Sequence, residues 1–175
     1  MKYTEAKLEE AVIELLQQQD YTYVKGEQID RSPDEVLLKD DLRAFLAARY
    51  AKDQITDSEI TMIIRQLELY PASDLYDSNK SIMKLISDGF IFKREEHQKK
   101  DFLVHFIDYE TVENNSFKFV NQFEIDDVEL RIPDGIIFIN GIPLVVFEFK
   151  SSIRDEVQIF DAWEQLTIRY RRSIP

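Results

Sequence analysis

The stretch Arg131-Ile-Pro-Asp134-Gly-Ile-Ile-Phe-Ile139-Asn-Gly-Ile-Pro-Leu-Val-Val-Phe-Glu148-Phe-Lys150 decides the reading of this chain. Two apolar runs flank Asn140-Gly141 and read as a hairpin of strands, 135 to 139 and 144 to 149. Into them are set an aspartate, a glutamate and a lysine. A charge within a strand of Val, Ile and Phe costs several kcal/mol to desolvate unless it finds a partner. A divalent metal with a lysine beside it supplies that partner. Two carboxylates are hard oxygen ligands suited to Mg²⁺, and an ammonium group can orient an attacking water or stabilise negative charge on a phosphate.

Glu148 and Lys150 lie two apart, so in a strand they emerge on one face. The face of Asp134 depends on the turn. A two-residue turn at Asn140-Gly141 sets Ile139 opposite Ile142 and Asp134 opposite Phe147, which places Asp134 and Glu148 on opposite faces. A three-residue loop, with Gly141 left-handed in a G1 bulge, pairs Phe138 with Ile142 and puts Asp134, Glu148 and Lys150 on one face. A shared site requires the second arrangement.

Pro-Asp, a strand and turn, then Glu-x-Lys resembles the PD-(D/E)xK nucleases. The run from Asp134 to Lys150, with Asn-Gly-Ile-Pro-Leu-Val at its turn, closely resembles the amino-terminal nuclease domain of the type I restriction endonuclease R subunit. The resemblance extends to Thr4-Glu5-Ala-Lys-Leu-Glu9 and to Ala162-Trp-Glu-Gln165. It implies a Mg²⁺-dependent DNA endonuclease domain in which Asp134, Glu148 and the Phe149 carbonyl hold the metal and Lys150 positions the attacking water. The partners implied are double-stranded DNA and the modification and specificity subunits, with ATP entering only through a motor domain. Other nucleases of the superfamily, such as a repair exonuclease or junction resolvase, are the alternative enzymes. A non-catalytic DNA-binding or assembly module is the alternative of another class, in which Asp134 caps a strand and Glu148 pairs with a base.

On a helical wheel of about 100° per residue, residues 4 to 19 gather Leu8, Val12, Leu15 and Leu16 into one apolar arc that also contains Glu5 and Glu9. Acids favour the first turns of a helix for electrostatic reasons alone. In the resembling family an acid on this helix approaches the metal, which makes Glu9 the first additional candidate ligand and Glu5 the second. After Lys150 a helix is expected over residues 154 to 172. Its wheel aligns Gln165 with Gln158, Arg169 and Arg172, a face suited to supporting the site or to contacting nucleic acid. Tyr170 falls on the packing face with Ile159, Trp163 and Leu166. Here the chain departs from its family, whose Gln-x-x-x-Tyr spacing is one residue shorter.

Helices are also expected over Val36 to Leu46, Ile60 to Leu67 and Ile82 to Ile86, with Thr56, Asp57 or Ser58 capping the second, Pro71 as a break and Gly89 as a stop. Phe102 to Ile107 and Phe117 to Phe123 read as strands. Strands apolar on both faces need helices on each side, so the expected fold is a three-layer α/β/α domain with a mixed sheet. The 175 residues, 44% hydrophobic, are enough for one such domain spanning 1–175, with 34–90 as a helical insertion and 101–172 as the sheet and catalytic core.

Cysteine is absent, which excludes disulfides and thiolate zinc sites, and two histidines are too few for a histidine metal centre. His105 alternates with apolar residues and reads as structural. With no secretory signal and no apolar run of about 18 residues, a cytoplasmic protein without membrane contact is expected. The net charge of -12 argues against a stand-alone DNA binder, since phosphate contacts need Lys or Arg. The bases gather instead at Lys93, Arg94, Lys99 and Lys100, and at Arg154, Arg169, Arg171 and Arg172. Together with the absence of a phosphate-binding loop motif and an end directly after the last helix, the charge suggests an amino-terminal fragment of a larger machine.

Overall fold

The computed structural model describes residues 4–70, 74–94, 99–126, 130–150, 163–164 and 166–167. Contacts divide the chain into two compact units, residues 1–37 with 117–175, and residues 38–116. The helices are α1 (Glu5–Gln17), α2 (Lys39–Arg49), α3 (Asp57–Glu68) and α4 (Leu75–Asp88). The strands are β1 (Thr22–Lys25), β2 (Phe90–Phe92), β3 (Phe102–Val104), β4 (Phe117–Asn121), β5 (Ile125–Asp126), β6 (Leu130–Arg131), β7 (Gly135–Ile139) and β8 (Ile142–Phe147).

The first unit is built on a mixed sheet of order β1-β4-β7-β8, in which β1 runs parallel to β4 and the other pairs are antiparallel. This is the mixed α/β architecture expected. The middle strands are its core: Phe119, Val120, Ile136 and Phe138 are almost fully buried. Helix α1 starts at Thr4, whose hydroxyl accepts from the Lys7 amide, and it packs loosely. None of its residues is fully buried, and Leu15 of the expected apolar arc is 57% exposed. Arg31 ties the loop after β1 to the end of β4, stacking over Phe123 at 3.6 Å and donating to the carbonyls of Ser32, Pro33, Glu35 and Glu124.

The second unit holds α2, α3, α4 and a hairpin of β2 with β3. Its core comprises Leu42, Phe45 and Leu46 of α2, Ile60, Ile63 and Ile64 of α3, Ile86 of α4, and Val104 and Phe106. Thr56 caps α3 in a capping box with Glu59, and Gly89, at φ 71°, ends α4. Strand β3 stops at Val104, so His105 lies just past it. The His105 amide donates to the Tyr50 hydroxyl at 2.6 Å, while its buried Nδ1 has no hydrogen-bond partner.

Arg94 does not belong to a solvated basic cluster. It is buried on Glu59, with Nε to Oε1 at 2.7 Å and Nη2 to Oε2 at 2.8 Å, and it also donates to the Asp53 and Gln54 carbonyls. A buried guanidinium needs a carboxylate, and Glu59 is spared solvent by the same contact. Among the described residues no helix is long and apolar enough to cross a membrane.

Candidate active site

The hairpin β7–β8 turns through two residues, not three. Asn140 and Gly141 have φ of 51° and 82°, the double left-handed conformation of a type I′ turn, and Ile139 pairs with Ile142. Taken alone, that register would separate Asp134 from Glu148. The parity is restored further along the strand. Phe138 pairs with Pro143 but Ile137 with Val145, so Leu144 is an extra residue in β8. From there Ile136 faces Val146 and Gly135 faces Phe147, and one further step sets Asp134 opposite Glu148. The expected bulge therefore lies in the strand rather than at the turn. Pro143 marks the place, because a residue without an amide hydrogen is tolerated within sheets mainly at edges and bulges.

Side-chain contacts agree with this register. The Phe149 amide donates to Asp134 Oδ2 at 2.6 Å, and Lys150 Nζ donates to Glu148 Oε1 at 2.6 Å. The Glu148 side chain is 4% exposed. Burial pushes the Asp134 carboxyl above its ordinary range, and the charges of Glu148 and Glu9 push the same way against the Phe149 amide and the Lys150 ammonium. Gly135 is needed beside Asp134, since the Phe119 ring lies 2.3 Å from where a Cβ would stand. That ring meets Phe147 edge-on at 5.6 Å, and Phe147 lies 5.9 Å from Phe149, which packs the strand under the charged groups.

Glu9 and Glu5 separate. Glu5 is exposed, whereas Glu9 is half-buried and accepts from Asn121 Nδ2 at 2.7 Å. Asn121 Oδ1 in turn accepts from the Tyr23 hydroxyl at 3.1 Å. Sequence reasoning passed over Asn121, although a polar residue on the strand face of Phe117 and Phe119 was the available signal. A cavity of about 480 Å³ opens at this end of the sheet, lined by Lys25, Gly26, Glu27, Ile29, Arg31, Pro33, Asn121, Gln122 and Glu124. Gln165, Arg169 and Arg172, with Gln158 and Tyr170, lie outside the described residues. Of the face assigned to Tyr170, Trp163 is described and is 52% exposed.

The donor set suits a hard divalent cation. Among the described residues the charges of Glu148 and Glu9 act on Asp134 against the Lys150 ammonium, an excess of negative charge that such an ion neutralises. Among the described residues no three His, Asp or Glu side chains already converge on one point, so the carboxylates stand as a pair with Glu9 at electrostatic range.

Comparison with known proteins gives a consistent picture. Residues 2–175 match the family described as "Type I restriction enzyme R protein N terminus". The HindI type I restriction enzyme endonuclease subunit of Haemophilus influenzae is 34% identical over 122 residues, 68% of this chain and 12% of that protein. A putative MjaIXP type I endonuclease subunit of Methanocaldococcus jannaschii is 29% identical over 168 residues, 86% of this chain and 16% of that protein. The SsaAORF53P endonuclease subunit of Staphylococcus saprophyticus is 29% identical over 143 residues, 79% of this chain and 14% of that protein. The chain thus spans less than a fifth of the length of these relatives.

Proposed function

The chain belongs to the family of type I restriction enzyme R protein N termini, and on that premise we propose that it is a Mg²⁺-dependent endonuclease domain hydrolysing phosphodiester bonds of double-stranded DNA. One observation carries the reading. The extra residue at Leu144 brings Asp134 into register with Glu148, and Lys150 already lies on the Glu148 carboxylate at 2.6 Å. Charged groups gathered at the end of an apolar strand are what a catalytic site uses.

Asp134, Glu148 and the Phe149 carbonyl would hold the metal, with Glu9 as an additional carboxylate. Bound there, the ion supplies Lewis-acid polarisation of the phosphate and lowers the pKa of a coordinated water. The chain's own contribution is positional. The Phe149 amide fixes one oxygen of Asp134. Lys150, held at the site by Glu148, orients the attacking water through its remaining N–H donors and offsets charge developing on the phosphate. Burial of Glu148 keeps bulk water from competing for the carboxylate.

The net charge of -12 supports work inside a larger assembly, since few phosphates can be neutralised by this chain alone. DNA would be delivered by a motor region of the same R subunit, in a complex with modification and specificity subunits. Gln165, Arg169 and Arg172 are proposed to support the site or to contact the DNA. The test is cleavage by the complete enzyme carrying Asp134→Ala, Glu148→Ala or Lys150→Ala. Each is expected to abolish cutting while the fold remains. Robust cleavage by any one of them would remove that residue from the mechanism, and cleavage by all three would leave a structural lock formed by the same bonds.

A further inference from the structure

We propose that the cavity at the end of the four-stranded sheet is a nucleotide subsite, in which Gln122 and Lys25 hold the DNA strand beside the phosphate that Asp134 and Glu148 address. The proposal rests on the nuclease reading above and deepens it. Lys25, Asn121, Gly135 and Phe147 pair across β1, β4, β7 and β8 in one row, and each strand begins or ends in that row. The next residues outward are Gly26, Gln122, Asp134 and Glu148. The cavity of about 480 Å³ is lined by Lys25 and Gly26 at one strand end and by Asn121 and Gln122 at the next. Consecutive residues of a strand point to opposite faces. The cavity therefore lies across the strand ends, alongside the charged group, and not on either face of the sheet.

The backbone shapes this end of the sheet. A Cβ on Gly26 would stand 2.3 Å from the Gln122 carbonyl oxygen, and Gln122 itself takes φ 52°. Side chains other than glycine are uncommon there, and such conformations gather at functional sites. Gln122 and Lys25 are both exposed, and among the described residues the Lys25 ammonium has no ion pair. Arg31 is a wall, because its terminal nitrogens already donate to the carbonyls of Ser32, Pro33, Glu35 and Glu124. The carboxylates of Glu27 and Glu124 offset the two cations of the lining. A lining without net charge suits a nucleoside better than a bare phosphate. The Gln122 amide both donates and accepts, as a base or sugar edge requires, and Lys25 neutralises the attached phosphate. Strands lie about 4.8 Å apart, so the ends of β4 and β1 stand roughly 5 and 10 Å from that of β7. At about 3.4 Å per charge along a DNA strand, the cavity takes a nucleotide about one to three positions from the phosphate being cut.

The experiment is NMR titration of the full ¹⁵N-labelled chain with a single-stranded thymidylate tetranucleotide at low salt. The amides of Lys25, Gly26 and Gln122 should shift saturably. Gln122→Gly, which removes the side-chain amide and suits φ 52°, and Lys25→Gln should each weaken binding about 2- to 10-fold. Gln122→Asn keeps an amide on a residue that tolerates positive φ and should retain most of the affinity. Lys25→Gln should also flatten the slope of log affinity against log salt by about 0.7, the loss of one phosphate contact on a single strand. Lys52→Gln, at an exposed lysine of the second unit, should change neither quantity. An equal loss in Lys52→Gln would mean attraction to charge at large and would overturn the proposal. So would absence of binding, shifts confined to residues outside the cavity, or unchanged affinity in Gln122→Gly and Lys25→Gln. Should Gln122→Gly fail to fold, Lys25→Gln decides. Cleavage by the complete enzyme separates the two readings. If Asp134→Asn abolishes cutting while the tetranucleotide leaves the cavity unshifted, this inference falls alone. If Asp134→Asn still cuts, the nuclease reading falls and this inference with it.

Discussion

Deleting Leu144 together with Val145 moves the register of the site by one residue. Removing Leu144 alone takes out the extra residue and leaves a regular hairpin in which Ile137 still faces Val145, so Asp134 still faces Glu148. Removing both sets Ile137 opposite Val146, Gly135 opposite Glu148 and Asp134 opposite Phe149, so Glu148 and Lys150 leave the face of Asp134. The stability cost can be worked from the aromatic contacts. Phe147 turns away from Phe119, which costs about 0.5–1.5 kcal/mol. For a chain of this size that lowers the melting temperature by roughly 1–6 °C, leaving a folded protein to assay. Cleavage by the complete enzyme should fall by about 100-fold or more in the double deletion, as expected when reacting groups are misplaced by even an ångström. The single deletion of Leu144 is the control, and it should keep most of the cutting. Near-normal cleavage by the double deletion would refute the argument from register, as would loss of cutting in a folded Leu144 deletion.

Asp134→Asn should abolish cleavage and raise the melting temperature at pH 7 without metal, since Asn keeps an acceptor for the Phe149 amide. The sign follows from burial, which raises the Asp134 pKa: the protonated group favours folding, and that contribution is lost as pH rises through the raised value. The gain of the variant should therefore vanish on acidification below about pH 4, and a lower melting temperature at pH 7 would contradict it. Gly141→Val, placed at φ 82°, should cost about 1–2 kcal/mol in thermal unfolding yet leave Mn²⁺ affinity nearly unchanged, because Leu144 and not the turn sets the parity. Arg94→Met strands Glu59 without its guanidinium and should destabilise by about 3–5 kcal/mol. Adding Glu59→Leu should recover much of that loss in denaturant melts.

That Asp134, Glu148 and Lys150 gather at one place was legible in the sequence, because charges embedded in apolar strands are rare enough to demand a partner. The helix caps at Thr56 and Gly89 were legible because they depend on local chemistry alone. The bulge was misplaced. Both a three-residue loop and a two-residue turn with an extra strand residue bring the acids together, and the sequence evidence weighed was parity, which the two share. Pro143 distinguishes them, since its missing amide hydrogen suits a bulge in an edge strand. Arg94 was read with its basic neighbours Lys93, Lys99 and Lys100, but burial is set by what packs around a residue. Its partner Glu59 is 35 residues away in sequence, beyond the reach of any local pattern. Asn121 escaped for the same reason: Glu9 lies 112 positions before it.

The most direct test of the account is a crystal structure of the chain soaked in Mn²⁺, read by anomalous scattering. The account predicts a peak bound by carboxylate oxygens of both Asp134 and Glu148, with Glu9 turned toward it. Saturating Mn²⁺ that leaves the Asp134–Phe149 and Glu148–Lys150 bonds closed with no ion beside them, or that binds only elsewhere on the chain, would contradict it.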